Sequence, residues 1–236
     1  MSSIFKFKKF DILQKNAAMK VGTDSMLLGA IMDSKGAQKG LDLGAGTGVL
    51  SLMVAQQNDE ILIDSIEKDL SSFEDCQYNF THSIWSDRLT PIAASYFSFP
   101  FDKKYDLIFS NPPFYLEEEN KTKNANQLSK HMSLKEFKMF AALVVNNLSS
   151  NGEFWIIVPY NLFKLIDDEE VFKPLEINYL KIIHSKSGKL NSRVVIQFSF
   201  THKIKIIQEM VLRNKDNSYT QDYINLTSQF HYNKLG

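Results

Sequence analysis

The feature that most constrains the fold of this sequence is a run of seven residues with three glycines, Asp42-Leu-Gly-Ala-Gly-Thr-Gly48. It follows a short apolar stretch and precedes residues 49–57, which have helical spacing and no helix breaker, so it predicts a tight turn between a buried strand and a helix. Glycine permits positive φ angles and lets a ligand approach the backbone without meeting a Cβ atom. Val49 stands where the nicotinamide dinucleotide fingerprint requires its last glycine, so the turn favours a different nucleotide-like cofactor.

Strand and helix patterns alternate along most of the chain. Strands are expected at 40–43, 61–66, 89–93, 105–110, 153–158, 176–184 and 192–201, and helices at 25–35, 49–57, 69–82, 134–148 and 160–170. This alternation predicts an α/β fold with a mainly parallel sheet, helices on both faces and a late antiparallel strand pair. Asp24 or Ser25 is expected to cap the first helix.

Two polar residues follow expected strands at places where a ligand could bind. Glu67 lies 21 residues after Gly46 and ends the second strand, where its carboxylate can accept hydrogen bonds from both hydroxyls of a ribose. Asn111 follows the fourth strand. Ligands of such sheets bind beyond the carboxyl ends of the strands, so we expect the glycine turn and Asn111 to meet there.

The segment Asn111-Pro-Pro-Phe114 is suited to holding a planar amine. The exocyclic amine of adenine is a weak nucleophile because its lone pair is delocalised into the ring. The Asn111 side-chain oxygen can accept one amine hydrogen and the Pro112 carbonyl the other, since successive prolines fix the backbone and remove competing donors. Phe114 can stack on the base, a contact worth roughly 1–3 kcal/mol. The segment therefore predicts methyl transfer to nitrogen, driven mainly by positioning and electrostatics.

The distribution of charge is informative although the formal net charge is zero. Residues 1–40 hold seven lysines against three aspartates, and residues 177–208 hold six cations and no acid. Phosphate binding depends on clustered cations rather than on net charge, so the second segment favours nucleic acid. The alternative is a solvated pair of strands with ordinary surface lysines.

Cysteine content and hydropathy suggest a compartment. The single Cys76 excludes an internal disulfide, and no His, Cys or carboxylate spacing indicates a metal site. No apolar run approaches the ~20 residues that span a bilayer, and the first ten residues lack the apolar stretch of a signal peptide. We expect a cytoplasmic protein without a metal or a membrane anchor.

Five segments of the sequence resemble segments of known protein families. Asp42–Gly48 resembles motif I of class I S-adenosylmethionine-dependent methyltransferases, and Asn111–Phe114 resembles their amino-methylating motif IV. The run Ala18–Ala30 resembles the N-terminal signature of the bacterial tRNA1(Val) adenine-N6 methyltransferases, which modify the adenosine 3′ of the anticodon, at position 37. The segments 183–195 and 219–226 resemble the same family, so the similarity covers nearly the whole length.

The resemblance implies a fold, a cofactor and a set of site residues. The fold is a Rossmann-like, doubly wound, seven-stranded sheet with an antiparallel edge strand, in a single domain 1–236 whose residues 1–36 form a capping extension on a core at 37–236. The cofactor is S-adenosyl-L-methionine, and the implied contacts are Lys20, Thr23, Asp42, Gly44, Ala45, Gly46, Gly48, Glu67, Ser95 and Asn111. Lys20, Thr23 and Asp24 are expected to lie by its methionine end. The implied catalytic residues are Asn111, Pro112 and Phe114, and the substrate contacts are Pro113, Phe114, Lys186, Lys189 and Arg193.

One position departs from the family pattern, which favours an acid after the third strand to contact the adenine amine of the cofactor. The sequence there reads Ile92-Ala-Ala-Ser95-Tyr96, so Ser95 is the candidate acceptor in place of the acid.

Three functions remain open from the sequence. The first is N6-methylation of an adenosine in a tRNA anticodon loop. The second is methylation of another planar amine, either guanine N2 of ribosomal RNA or a glutamine amide of a protein. The third is a catalytically silent module that binds a cofactor or RNA, with Asn111–Phe114 as an incidental proline turn after a strand.

Overall fold

The computed structural model describes residues 3–112, 115–116, 131–168, 170–186, 188 and 191–232. Its strands are β1 (Ile4–Lys6), β2 (Asp11–Leu13), β3 (Lys39–Leu43), β4 (Leu62–Glu67), β5 (Leu89–Ala93), β6 (Tyr105–Ser110), β7 (Tyr115–Leu116), β8 (His131–Met132), β9 (Leu148–Pro159), β10 (Glu176–His184), β11 (Asn191–Ser199) and β12 (Ile206–Val211). Its helices are α1 (Thr23–Ile31), α2 (Val49–Gln57), α3 (Leu70–Thr81), α4 (Leu134–Asn147), α5 (Tyr160–Asp168) and α6 (Gln221–Thr227), with a 3-10 turn at Ser86–Arg88. Three predicted site residues lie outside the described residues: Pro113, Phe114 and Lys189.

Eight strands form one sheet in the order β12-β10-β11-β9-β6-β3-β4-β5. Neighbouring strands are parallel except at β11, which is antiparallel to both β9 and β10. Seven of these strands make up the predicted doubly wound sheet, and the predicted antiparallel pair is confirmed. The structure adds β12 beyond β10, which sequence patterns did not predict because its first four side chains are all exposed and show no alternation.

Helices cover both faces of the sheet and bury two hydrophobic cores. Residues of α1, α2, α3 and α6 belong to one core, and residues of α4 and α5 belong to the other. The central strand β6 serves both, because Leu107 and Phe109 lie in the first core and Ile108, between them, lies in the second. Burial on both faces is typical of a central parallel strand. Across the residues the structure describes, none of these helices is long and apolar enough to cross a membrane.

The strands β1 and β2 form an antiparallel hairpin that packs on the first core. Its buried apolar residues are Phe7, Phe10 and Ile12. Asn79 of α3 holds the end of the hairpin, because its Oδ1 accepts the N–H of Leu13 at 2.7 Å and its Nδ2 donates to the Leu13 carbonyl at 2.9 Å. The same Nδ2 also donates to the carbonyl of Thr47 at 2.9 Å. Asn79 thereby joins the N-terminal segment to the glycine turn.

The expected cap of α1 is wrong. The helix begins at Thr23, and its N-cap residue is Gly22, which has no side chain to make a capping bond. The Asp24 carboxylate instead accepts a hydrogen bond from the Arg193 Nε at 2.8 Å. The Ser25 hydroxyl accepts one from the Asn111 Nδ2 at 3.0 Å. Both side chains are thus engaged by distant residues rather than by their own helix.

We expect the substitution Asn79→Ala to lower the free energy of unfolding by roughly 2–3 kcal/mol, because backbone groups of Leu13 and Thr47 would lose their partners. Urea unfolding followed by circular dichroism measures the change. Gln77→Ala, at an exposed position of the same helix, is the control and should stay within about 0.5 kcal/mol of the wild type. Equal stability of the two variants would contradict the bracing role of Asn79.

Candidate active site

The glycine turn and Asn111 lie side by side at the carboxyl rim, the edge where the parallel strands of the large sheet end. β3 and β6 are direct parallel neighbours. The Ser110 hydroxyl at the end of β6 donates a hydrogen bond to the Leu43 carbonyl at the end of β3, at 2.6 Å, and both residues are fully buried. The next residues along each strand, the turn 44–48 and Asn111, are therefore adjacent. The predicted convergence is confirmed.

The glycine turn keeps an open surface above its backbone. Gly44, Gly46 and Gly48 have φ angles of 78°, 57° and 78°, in the left-handed region. A Cβ atom added at Gly44 or Gly46 would meet nothing within 4 Å, whereas one at Gly48 would lie 2.4 Å from a ring atom of Phe80. The first two glycines thus leave room for a ligand, and the third lets α3 pack against the turn.

Glu67 closes the turn from the side of β4. Its Oε2 accepts the N–H of Gly46 at 2.8 Å, and its Oε1 accepts the N–H of Asp69 at 2.8 Å. Ala45 is anchored beside it, because its N–H donates to the Ile66 carbonyl at 3.0 Å. Each carboxylate oxygen has two lone pairs, so Glu67 can still accept bonds from the hydroxyls of a ligand.

Asp42 supports the turn from beneath and does not reach the open surface. Its side chain is completely buried, and its Oδ2 accepts a hydrogen bond from the Ser51 hydroxyl at 2.7 Å, which also bonds the Ser65 hydroxyl at 2.8 Å. Its Oδ1 has no partner within the described part of the chain. Burial, aided by the negative charge of Glu67, raises the pKa of Asp42 to about 7 despite the opposing bond from Ser51. The cofactor contact implied for Asp42 stays a prediction.

Asn111 presents one end of its amide to the rim. The residue is half-buried, and Pro112 after it is buried. The Asn111 Nδ2 donates to the Ser25 hydroxyl at 3.0 Å, while none of the described residues donates to its Oδ1. The amide oxygen is therefore available to a substrate amine. Its predicted companions Pro113 and Phe114 fall in a part of the chain that the structure does not describe.

The first turn of α1 reaches the same rim. Thr23 begins the helix and is half-buried, two positions before Ser25, which contacts Asn111. Lys20 lies three residues before the helix and is exposed. Thr23 therefore belongs to the helical turn that contacts Asn111 through Ser25, and the implied contacts of Lys20 and Thr23 with the methionine end of a cofactor stay predictions.

Ser95 lies just beyond β5, close to Glu67. The N–H of Ala94 donates to the Glu67 carbonyl at 3.1 Å, which ties the end of β5 to the end of β4. The Ser95 hydroxyl accepts the N–H of Phe97 at 3.3 Å. Ser95 is therefore at the expected rim, and its contact with a cofactor adenine stays a prediction.

The described cations of the acid-free segment 177–208 do not all lie at one end of the sheet. Arg193 lies near the start of β11 and Lys186 follows the end of β10, both at the carboxyl rim. Lys203 lies at the opposite end, with its Nζ 3.4 Å from the Oε1 of Glu153. The nine residues of β10 separate these ends by roughly 25 Å. The segment therefore does not form one phosphate-binding cluster.

Arg193 and Lys186 already have partners. The Arg193 Nε donates to the Asp24 Oδ2 at 2.8 Å, and its Nη1 donates to the Ser192 carbonyl at 2.8 Å. The Lys186 Nζ donates to the Asn217 Oδ1 at 2.8 Å. The bonded partner of Lys186 is a neutral amide, with the Asp216 carboxylate within electrostatic range, whereas Arg193 bonds a carboxylate directly. The substrate contacts expected for Lys186 and Arg193 stay predictions.

Sequence reasoning assigned no role in the site to three residues that shape it, and it considered Ser25 only as a helix cap. Ser110 could have been found from its position beside Asn111 at the end of a buried strand. Ser25 and Asn79 gave no local signal, because their partners lie 86 and 66 residues away along the chain.

The residues at the rim fit S-adenosylmethionine. The open surface above Gly44 and Gly46 admits a nucleoside, and Glu67 beside it offers carboxylate oxygens to hydroxyl groups. The amide oxygen of Asn111 lies at the same rim, where a substrate amine would have to approach.

The sequence of this chain is similar to those of known proteins over nearly its full length. A family model described as the methyltransferase small domain matches residues 16–163. A protein of Haemophilus influenzae is 33% identical over 233 residues, which cover 97% of this chain and 98% of its own. A protein of Phocaeicola vulgatus is 30% identical and covers 97% of each chain, and one of Aliivibrio fischeri is 34% identical and covers 99% of each. All three are named tRNA1(Val) (adenine(37)-N6)-methyltransferase.

Solved structures share the fold. A crystal structure described as a predicted O-methyltransferase from Agrobacterium tumefaciens has a TM-score of 0.66 at 15% identity, covering 89% of this chain and 98% of its own. A 16S rRNA N2 methyltransferase of T. thermophilus, in complex with AdoMet and guanosine, has a TM-score of 0.54 at 20% identity, covering 81% of this chain and 47% of its own. At these identities the similarity concerns the fold alone.

We expect Gly46→Ala to weaken the binding of S-adenosylmethionine by about tenfold or more. The added methyl group would enter the open surface without striking the protein, so the free energy of unfolding should fall by only roughly 1–2 kcal/mol, the cost of a left-handed alanine. Titration calorimetry and urea unfolding measure the two quantities. Gly48→Ala is the matched comparison and should lose more stability, because its methyl group collides with Phe80. Wild-type affinity in Gly46→Ala would place the cofactor elsewhere.

We expect the substitution Asp42→Asn to raise the free energy of unfolding, relative to the wild type, by more as the pH rises. The pKa of Asp42 is about 7 in the folded chain and near 4 in an unfolded one, so the wild type loses stability as the pH rises between these values. Asparagine cannot ionise. The unfolding free energy of the variant minus that of the wild type should therefore increase by on the order of 1 kcal/mol per pH unit between these values. Urea unfolding across this range measures it, and a difference that does not vary with pH would refute the raised pKa.

Proposed function

This chain belongs to the methyltransferase small domain family, and we propose that it methylates the N6 nitrogen of adenosine 37 in the anticodon loop of tRNA1(Val), with S-adenosyl-L-methionine as methyl donor. The substrate is taken from relatives that bear this name and match nearly the full length of the chain. Their match extends beyond residues 16–163, so it includes terminal segments that the family model leaves out.

The observation that carries the proposal is the adjacency of the open glycine turn and the Asn111 amide. The two elements come from strands that are parallel neighbours, fixed by the buried bond between Ser110 and Leu43. A donor above the turn and an acceptor amine at Asn111 would share one crevice. Transfer between groups held in this way is favoured because the cost of bringing them together has been met on binding.

The residues of the chain hold and polarise the substrate amine. S-adenosyl-L-methionine, when bound, supplies a methyl group on a positively charged sulfur. The Asn111 Oδ1 accepts one hydrogen of the adenine amine, and the Pro112 carbonyl accepts the other. Both bonds draw the nitrogen toward tetrahedral geometry and free its lone pair for attack on the methyl group. The extra proton leaves the nitrogen after transfer, so no strong base is required.

The alternative acceptors are favoured less. Guanine N2 and a glutamine amide present the same kind of planar amine, so Asn111 alone does not select among the three. The full-length similarity to relatives named for tRNA1(Val) favours adenine, whereas the rRNA enzyme of T. thermophilus shares 20% identity and the fold alone. The relatives are named as enzymes, which also disfavours a silent binding module.

The proposed tRNA contacts are cations on separate segments. Lys6, Lys8 and Lys9 are exposed on the N-terminal hairpin, and Lys186 lies at the carboxyl rim. An unpaired loop base costs less to extrude than a paired one, so an anticodon loop suits a site that must enclose the base. A tRNA substrate also agrees with the cytoplasmic location expected from the free Cys76, which stays a prediction.

We expect Asn111→Ala to reduce methyl incorporation into tRNA by roughly a hundredfold or more, because the substrate amine loses a hydrogen-bond partner that acts mainly in the transition state. Transfer of radiolabelled methyl groups to unmodified tRNA measures the rate, and mass spectrometry of digested tRNA locates the product. Asn146→Ala, at an exposed position of α4, should leave the rate unchanged.

Ribosomal particles and release factors should be assayed beside the tRNA. N6-methyladenosine at position 37 supports the proposal. Labelled guanine or labelled protein, with no labelled tRNA, would replace it by one of the alternative acceptors.

A further inference from the structure

We infer that Ser25 is a positioning residue for Asn111 and that the ion pair of Asp24 with Arg193 holds Ser25 in place. The inference rests on the proposed function, since it concerns the amide that would hold the substrate amine. Ser25 itself touches neither substrate nor cofactor in this scheme and acts through Asn111.

The amide of Asn111 has two ends that are similar in shape and opposite in chemistry. Its oxygen accepts hydrogen bonds and its nitrogen donates them, so only one orientation can hold the hydrogens of a substrate amine. The Nδ2 donates to the Ser25 hydroxyl at 3.0 Å, and no group in the described ranges donates to the Oδ1. The bond to Ser25 occupies the nitrogen and leaves the oxygen for the substrate. Without this bond, the side-chain amide could rotate by about 180° and place its Nδ2, which cannot accept a hydrogen bond, next to the substrate amine.

Ser25 is held on a helix that is firmly packed. It lies in the first turn of α1, and the next four residues, 26–29, are buried in the core. The preceding residue, Asp24, is tied to the sheet by the Arg193 Nε, 2.8 Å from its Oδ2. The two side chains are 29% and 35% exposed, so the charge-assisted bond is partly shielded from water. The turn therefore has little freedom to move away from Asn111.

Arg193 is placed to act on α1 rather than on phosphate. It lies in β11, which is paired with β9 inside the sheet, so its backbone is rigid. A bond from its Nη1 to the Ser192 carbonyl at 2.8 Å helps to direct the guanidinium, whose Nε bonds Asp24. These contacts give Arg193 a structural role, and the substrate contact expected for it stays a prediction.

The main test is the substitution Ser25→Ala. It removes the acceptor but favours the helix, since alanine has the highest helix propensity. We expect kcat to fall about tenfold while the KM values for tRNA and S-adenosylmethionine stay within about twofold, because orientation at the reacting amine changes and binding does not. Ser25→Thr keeps a hydroxyl and should recover most of the rate. Ser71→Ala removes an exposed serine from the first turn of α3 and should change neither constant.

Two double variants test whether the residues act as one unit. In an Asn111→Ala background, Ser25→Ala should cause no further loss of residual activity, because no amide is left to orient. Asp24→Ala and Arg193→Ala should each lower kcat, and the double variant should be no worse than the more severe single one, because the same ion pair is removed. A higher KM for tRNA in Arg193→Ala, with unchanged kcat and an unaffected Asp24→Ala, would overturn the positioning role of the pair.

The outcomes separate this inference from the proposed function. If Asn111→Ala is inactive and Ser25→Ala has the wild-type kcat, the role of Ser25 is refuted and the proposed function stands. If Asn111→Ala is itself fully active, the catalytic role of the amide is refuted, and the role of Ser25 with it.

Discussion

The hydrogen bond from the Ser110 hydroxyl to the Leu43 carbonyl joins the two strand ends from which the site is built. It is fully buried, where an unmade bond is costly, and therefore fixes the register of β3 against β6. A slip of one residue would turn every side chain of β6 to the opposite face. Asn111 would then leave the rim. The spacing between the glycine turn and the amide is thus a property of the sheet rather than of the loops.

The glycine turn is supported by Asp42, whose burial destabilises the fold, and by Asn79, whose hydrogen bonds stabilise it. Asp42 is buried with one oxygen unpartnered among the described residues, and the fold loses stability as the pH rises from about 4 to about 7 because the unfolded chain releases this proton first. Strongly shifted groups of this kind are common where function requires polar atoms close together. Asn79 braces the same turn from α3 by bonding the Thr47 carbonyl. The turn is therefore held by directed hydrogen bonds, since apolar packing alone could not fix three residues with positive φ angles.

Features that depend on neighbouring residues could be predicted from the sequence, and features that depend on residues far apart in the chain could not. The bounds of α2, β6 and β10 were predicted to the residue, because apolar period and breakers are local signals. The N-terminal hairpin was missed, since strands of three residues are too short to show a period. The cap of α1 was wrong because Asp24 and Ser25 bond residues 169 and 86 positions away. Arg193 and Lys203 are ten residues apart in sequence, but the length of β11 separates them to opposite ends of the sheet.

The N-terminal segment and the Asn111 amide are held by neighbouring parts of the same framework. The Oδ2 of Asp75 in α3 accepts the N–H groups of Asn16 and Ala17, both at 2.8 Å, just before α1 begins. The hairpin, this link and α1 are therefore all anchored to the same core. Amine chemistry at Asn111 is common to several acceptors, so selection has to come from surrounding contacts. An RNA held by the exposed lysines of the hairpin would have a fixed position relative to Asn111, since every element between them is braced.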